Sequence, residues 1–400
     1  MTTSTQTSSS AERVVASDLD VRPVQGRRER RQFLLFPWRI YQDDPLWVPP
    51  VLSERAARID PDREPRFRRD QAALFMAWRG RRPVGTIGVA VDIKSSVGRP
   101  HTTVDFGFFE CVEDRVVAYA LLDRAVAWAR ARNADRLWGP QSFGDSDEPG
   151  LLLEGRETPR GMLMGWSPPY YQDFVESYGF TPYRDALAYR LDLSDYVDAK
   201  GVFTPPGHLR SIARRVRERY TGRIRVRLGD LDRWEAELEV AREIYNRALG
   251  TLPNFYPMPK DDWQRMGAAI RPVLDPDLAL FLLLDEEPVA FALAMPDINT
   301  ALLHCNGLRY PWDYVKLWWH SRHLPGLSFK IMAMLPEVHG LGLDAVIYLY
   351  VGETAWRKGY EWVDLSLTGD DNPTTNRLAA RFGARLDKRY RIYVLRLRGG

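Results

Sequence analysis

The 400 residues exceed the roughly 100 to 200 of one ordinary domain, so two domains or more are expected. Hydrophobic residues make up 45%, charged residues 27% and aromatics 12%, which excludes a disordered or fibrous chain. The net charge is only +3, and just seven of the 56 basic residues are lysine, a bias that reads as composition rather than chemistry.

In chain order, Met1 to Ser10 is rich in Ser and Thr and has neither the basic start nor the apolar run of a secretory signal, so a disordered tail is expected over 1–18. The arginines at 27–31 and 210–227 read as solvated helix faces, with phosphate or an acidic carrier as the functional alternative. No run approaches the roughly 18 apolar residues of a membrane-spanning helix; Leu278 to Leu284 is stopped by Asp285. Cys111 and Cys305 lie in different halves without metal-like spacing, so neither a disulfide framework nor a zinc site is indicated. His320 and His323 have no carboxylate or thiol partner at ligand spacing. A cytoplasmic chain without a metal and without a membrane partner is the expectation.

An internal repeat organises the chain. Leu74-Phe75 opens an apolar run ending at Pro83-Val84-Gly85, and Leu280-Phe281 opens another ending at Pro288-Val289-Ala290, 205 residues on. Gly179 and Gly383, each following a helical pattern and preceding a strand-like tail, are 204 apart. Between these anchors each half has a long helix, Val117 to Arg132 and Asp344 to Lys358, then a strand, Arg136 to Trp138 and Trp362 to Leu367. The Ala-Trp pairs of the two helices are 228 apart, so the first half holds about 24 extra residues, placed in Gly144 to Gly165. The predicted division is 19–200, a helical linker over 201–223 whose apolar positions are too sparse for a core helix, and 224–400.

The segment most suggestive of chemistry is Phe329 to Ala345, a strand running into Gly340-Leu341-Gly342 and at once into a helix. Glycines let successive backbone N–H groups converge on an anion, and a helix N-terminus adds partial positive charge, so pyrophosphate is the natural ligand. Pro296-Asp297-Ile298-Asn299, His304 and Asn306 stand on or after the preceding strand. Asp297 suits a cationic amine, Asn299 its positioning and His304 the proton. The structural alternative is a turn in which Asp and Asn bond local backbone. Tyr310 to His320 reads as an inserted helix whose aromatics pack inward or line a pocket.

The order of the second half resembles the GNAT superfamily of acyl-CoA-dependent N-acyltransferases. Gly340 and Gly342 match the family's phosphate loop, with Glu337 where Gln or Arg is usual. Asn372, Leu378 and Gly383 match its later pattern, with Thr375 and Ala384 departing from it and Ala379 at the position of the tyrosine acid. The resemblance implies an α/β fold of two GNAT-like domains in tandem, each a mixed, mostly antiparallel twisted sheet flanked by helices. It further implies acyl-CoA, or the phosphopantetheine arm of an acyl carrier protein, bound by Met334, Leu335, Val338, His339, Gly340, Leu341, Gly342, Leu343 and Asn372. An amide near Leu335 would stabilise the oxyanion, and an amine-bearing small molecule or peptide would be the acceptor. In the first half, Phe106 to Glu110 is the equivalent strand, but Glu113 and Asp114 stand where phosphates would sit and Val175 takes the tyrosine position, so this copy is expected to be a scaffold or part of the acceptor pocket. Asp44 to Pro50 and Phe106 to Glu110 look like a tandem-GNAT subgroup of bacterial proteins. The alternatives are a Fem-like transferase that takes its acyl group from aminoacyl-tRNA, and a catalytically inactive ligand-binding or scaffold protein.

Overall fold

The structure, a computed structural model, describes residues 18–92, 102–141, 143, 148–250 and 257–397, and the tail expected over 1–18 lies almost wholly outside them. Strand β1 (Leu19–Pro23) and helix α1 (Gly26–Leu35) lead to β2 (Ala72–Arg79), β3 (Arg82–Val91) and β4 (Thr103–Cys111). Next come α2 (Arg115–Arg130), β5 (Arg136–Gly139), β6 (Leu151–Glu154), α3 (Tyr170–Tyr178) and β7 (Thr181–Asp192). The order then recurs as α4 (Gly207–Arg219), β8 (Ile224–Leu228), α5 (Trp234–Leu249), α6 (Lys260–Ile270), β9 (Ala279–Leu284) and β10 (Glu287–Pro296). It closes with α7 (Pro311–His320), β11 (Gly326–Met334), α8 (Asp344–Arg357), β12 (Trp362–Gly369), α9 (Pro373–Arg381) and β13 (Arg385–Arg396).

The chain forms two compact units that are not consecutive in sequence: 1–186 with 302–315 and 388–400, and 187–301 with 316–387. In the first, the strand order is β1-β2-β3-β4-β5-β13 with β6 beside β13, and in the second it is β8-β9-β10-β11-β12 with the latter part of β7. In the first unit β4 and β5 are parallel, as are β11 and β12 in the second, while the remaining ladders resolved residue by residue are antiparallel. Every residue of β4 is buried, so it is covered on both faces and reads as a continuous apolar run rather than an alternation. Helix α2 covers it with Val117, Leu121, Leu122, Ala125 and Ala129, spaced three and four apart, and starts where the Asp114 carboxylate accepts from the Val116 amide. The two copies repeat one bond: Val112 N–H donates to Val84 O at 3.0 Å, and Leu335 N–H to Val289 O at 2.9 Å.

Two sequence expectations are corrected by the packing. Helix α4, expected to be a linker too poor in apolar residues for a core, buries Leu209, Ala213 and Val216 in the second unit. Those positions make one narrow stripe, and one stripe suffices for a helix that packs on one side only. The aromatics of α7 were expected to pack inward or line a pocket, yet Trp312, Trp318 and Trp319 are each more than half exposed.

Candidate functional site

In the second unit β11 and β12 pair only at Gly326–Trp362, Leu327–Val363 and Ser328–Asp364, while both strands run on for several residues. Beyond Ser328 the described ladder between the two strands ends, and they open as a wedge. A buried cluster ties the throat of this wedge: Asp364 Oδ2 accepts from Ser328 Oγ at 2.7 Å and from Lys330 Nζ at 3.2 Å. Lys330 and Asp364 side chains are 7% and 8% exposed. Sequence reasoning missed this cluster; its signal was a serine and a lysine two apart in a largely apolar strand, with an aspartate in the next.

At its far end β11 delivers Met334 and Leu335 to a short 3-10 turn, Pro336–Val338, and then to the glycine loop. Gly340 and Gly342 have φ +76° and +78°, left-handed values that glycine adopts at little cost. The amides of Val338 and His339 are taken by Leu335 O and Pro336 O, and Leu341 bonds Val338 O at 3.4 Å. Among the described residues the amides of Gly340, Gly342 and Leu343 meet no backbone acceptor, and Leu343, which begins α8, has no side-chain cap. Uncapped amides at a helix N-terminus are groups of the kind that can meet an anion. The space around Gly340 is open, whereas a Cβ on Gly342 would stand 2.8 Å from Ile212 Cγ2 and 3.3 Å from Val216 Cγ2 of α4. The loop is therefore open on one side and walled by α4 on the other.

The other expected residues have definite places. Glu337 turns to Arg247 Nη2 at 2.5 Å, and its carboxyl is held below the usual range first by a bond to its own backbone amide and also by Arg247. A carboxylate so held is ionised and poorly suited to accept a proton. The Leu335 amide is spent on Val289 O, so it cannot be the oxyanion donor expected near that position, and Met334 O contacts His339 Nε2 at 2.9 Å. Asn372 caps α9, its Oδ1 accepting from the Thr375 amide at 3.2 Å. Asp297 and Asn299 are buried in the second unit, where Asp297 Oδ1 accepts from the Asn299 amide at 3.1 Å in an Asx-type turn. His304 is exposed and belongs to the segment counted with the first unit, in which Asn306 Oδ1 accepts from Trp38 Nε1. Asp297 and Asn299 are thus counted with the second unit and His304 with the first. The loop residues Asn254, Phe255 and Tyr256 lie outside the described residues.

The first unit contains its own wedge, with β4 and β5 paired only at 103–105 against 136–138. Here Asp114 occupies the start of α2 and also pairs with Arg79 at 2.6 Å, so that helix end is closed to a phosphate. What the first copy has instead is a polar cavity lined by Arg55, Phe108, Glu110, Gln141, Glu148 and Trp166. Glu110 Oε2 accepts from Tyr41 OH at 2.8 Å and from Tyr171 OH at 2.9 Å. Burial drives its pKa from 4.5 up to about 7, against the pull of Arg55 and both phenols. Gln141, 1% exposed, has no partner for Nε2 among the described residues. Beside Glu110, Phe108 takes φ +49° at a bulge in the β3–β4 ladder, an unusual conformation for a bulky side chain. In the ladder of the second unit the equivalent of Glu110 is Ala333, so the carboxyl is in one copy and the glycine loop in the other.

No family model matches the chain. It is 27% identical to protein YghO of Escherichia coli over 383 residues, 93% of this chain and 94% of that one. It is also 27% identical to a bacterial ceramide synthase of Caulobacter vibrioides over 386 residues, 94% and 97% of the respective chains. Among solved structures, a tandem GNAT protein from the clavulanic acid biosynthesis pathway superposes with a TM-score of 0.54 at 13% identity, covering 96% of this chain and 99% of that one. A GCN5-related N-acetyltransferase from Sphaerobacter thermophilus superposes with 0.50 at 14% identity, covering 96% and 97%. The chain has the fold of a tandem GNAT protein.

Proposed function

We propose that the protein is an N-acyltransferase that moves an acyl group from an acyl thioester to an amine. The observation that carries this reading is the set of uncapped amides at Gly340, Gly342 and Leu343, at the end of the strand that opens the β11–β12 wedge. The residues fit a phosphorylated donor: open space at Gly340, no side-chain cap at Leu343, and Glu337 drawn off by Arg247. The loop amides would hold the diphosphate of acyl-CoA, or the phosphate of an acyl carrier protein's arm. The wedge would take the thioester on the β11 edge. The amine nitrogen attacks the thioester carbonyl carbon, the C–S bond breaks, the thiol sulfur leaves with the electron pair, and the nitrogen gives up a proton. An alkylamine with a pKa near 10.4 is neutral in only about one molecule in a few thousand at pH 7, so a proton acceptor is required.

Likeness to a ceramide synthase over nearly the whole of both chains favours an acceptor of the same kind. A ceramide is the amide of a long-chain amino alcohol, so the favoured pair is a long-chain amino alcohol and an acyl thioester. Titration calorimetry with acyl-CoA tests the donor site. Binding is expected in the parent and is expected to be lost in Gly340→Asp, which adds a carboxylate in open space. Equal affinity in both would remove the loop from the donor site. Release of free thiol only when both acyl-CoA and a long-chain amino alcohol are present then tests the transfer.

A further inference from the structure

No helix among the described residues is long and apolar enough to cross a membrane. Helix α7 nevertheless shows Val315 at 65% exposure, Trp318 and Trp319 at 62%, Trp312 at 57% and Tyr314 at 55%. At 100° per residue these five side chains span an arc of about 160°. The opposite side is where the helix meets the protein, and there Asp313 is fully buried, with Oδ2 accepting from the Tyr310 amide at 3.1 Å. The amphipathicity is thus inverted relative to an ordinary surface helix, with the acid inside and the indoles outside. Single exposed apolar residues need no explanation, but a contiguous face of this kind does.

The surrounding charge says what covers it. From His304 to Pro325 the chain carries Arg309, Lys316 and Arg322 and three of its six histidines, and its only acid is the buried Asp313. The Arg322 guanidinium lies 5.3 Å from the Trp318 ring and 5.6 Å from Trp319, and Arg309 lies 5.5 Å from Tyr310. Cations therefore rim the aromatic face. Trp and Tyr, with an apolar body and one polar N–H or O–H, favour the boundary between acyl chains and headgroups, and anionic headgroups attract flanking Lys and Arg. A second copy of the chain is a poorer occupant, because a two-fold contact would set this basic face against itself.

We propose that α7 is a docking helix that lies in the headgroup region of an anionic lipid bilayer, its Trp312, Val315, Trp318 and Trp319 face buried among the lipids. This departs from the expectation of a chain with no membrane partner, which rested on the lack of a spanning segment. A helix in the interface plane needs a one-sided aromatic face instead. The inference does not depend on the chemistry of the second unit's wedge, so its failure would leave the proposed acyl transfer standing.

The test is co-sedimentation of the full chain with vesicles of phosphatidylcholine, alone or mixed with phosphatidylglycerol. The parent should sediment with the mixed vesicles, and less so at high salt. Trp318→Ser with Trp319→Ser should cost at least about tenfold in affinity while leaving the melting curve in place, since both side chains are exposed. Lys316→Gln with Arg322→Gln should cost on the order of tenfold, on the anionic vesicles only. Equal sedimentation of parent and tryptophan variant would overturn the proposal, as would no sedimentation of the parent with mixed vesicles. So would a dimeric parent that the tryptophan substitutions turn into a monomer, because α7 would then be covered by a second copy.

Discussion

Replacing Glu110 by Gln should leave the protein's stability nearly unchanged in mild acid and raise it above neutrality. Glu110 is 8% exposed and its pKa rises from 4.5 to about 7, burial being the largest cause. Between those values the folded chain keeps a proton that the unfolded chain has released. Stability from this group is therefore complete below pH 4.5 and is lost as pH climbs through 7. At about 1.4 kcal/mol per pH unit the loss comes to about 3 kcal/mol. Above pH 7 the folded state holds an ionised carboxylate in a cavity whose phenol bonds and Arg55 compensate only part of its desolvation. Glutamine keeps the shape and never ionises. Denaturant unfolding of parent and Glu110→Gln across a pH series isolates the effect, because every other titrating group is common to both. The two should agree to within about 1 kcal/mol at pH 4.5, allowing for altered bonds to Tyr41 and Tyr171. At pH 8 the variant should be more stable by about 3 kcal/mol. Parallel curves, or a variant less stable than the parent at pH 8, would refute the account of Glu110 as a buried, partly protonated acid.

Two further predictions concern the second unit. Lys330→Met removes a cation from beside a buried carboxylate and should cost about 3–5 kcal/mol in denaturant unfolding; a loss under about 1 kcal/mol would contradict the burial of the pair. Gly340→Ala and Gly342→Ala both place alanine at a left-handed φ, costing roughly 1 kcal/mol each. Gly342→Ala also meets Ile212 and Val216, so it should melt at the lower temperature, and equal melting would contradict the seat of α4 against the loop.

Much of the architecture was legible because duplication leaves a measurable period. Pro83 and Pro288 open their strands at matching places in β3 and β10, and the polar turns before them form the expected hairpins. The glycine loop was legible because two left-handed positions between a strand and a helix demand a residue without a Cβ. The carboxyl at 110 was not, since one acid at the end of an apolar strand carries no sign of the tyrosines at 41 and 171 that will meet it. Nor was the exposure of α7. A periodic pattern shows that a helix has an apolar face and says nothing about whether that face turns to protein or away from it. For Asp297 and Asn299 both readings were available in the sequence, and the turn bond that the local reading expected is present between them.

The last strand has a consequence for how the chain is made. β13 supplies the neighbour that β5 and β6 need, with Tyr393 opposite Gly139 and Arg389 opposite Glu154, and Asp185 clamps it through Arg389 and Arg391. A domain usually folds as soon as its own residues leave the ribosome, amino-terminal end first. Here the first unit must wait, its sheet edge open, through the synthesis of some two hundred intervening residues. During translation the nascent first unit carries an unpaired edge that is exposed to wrong partners until β13 has been delivered.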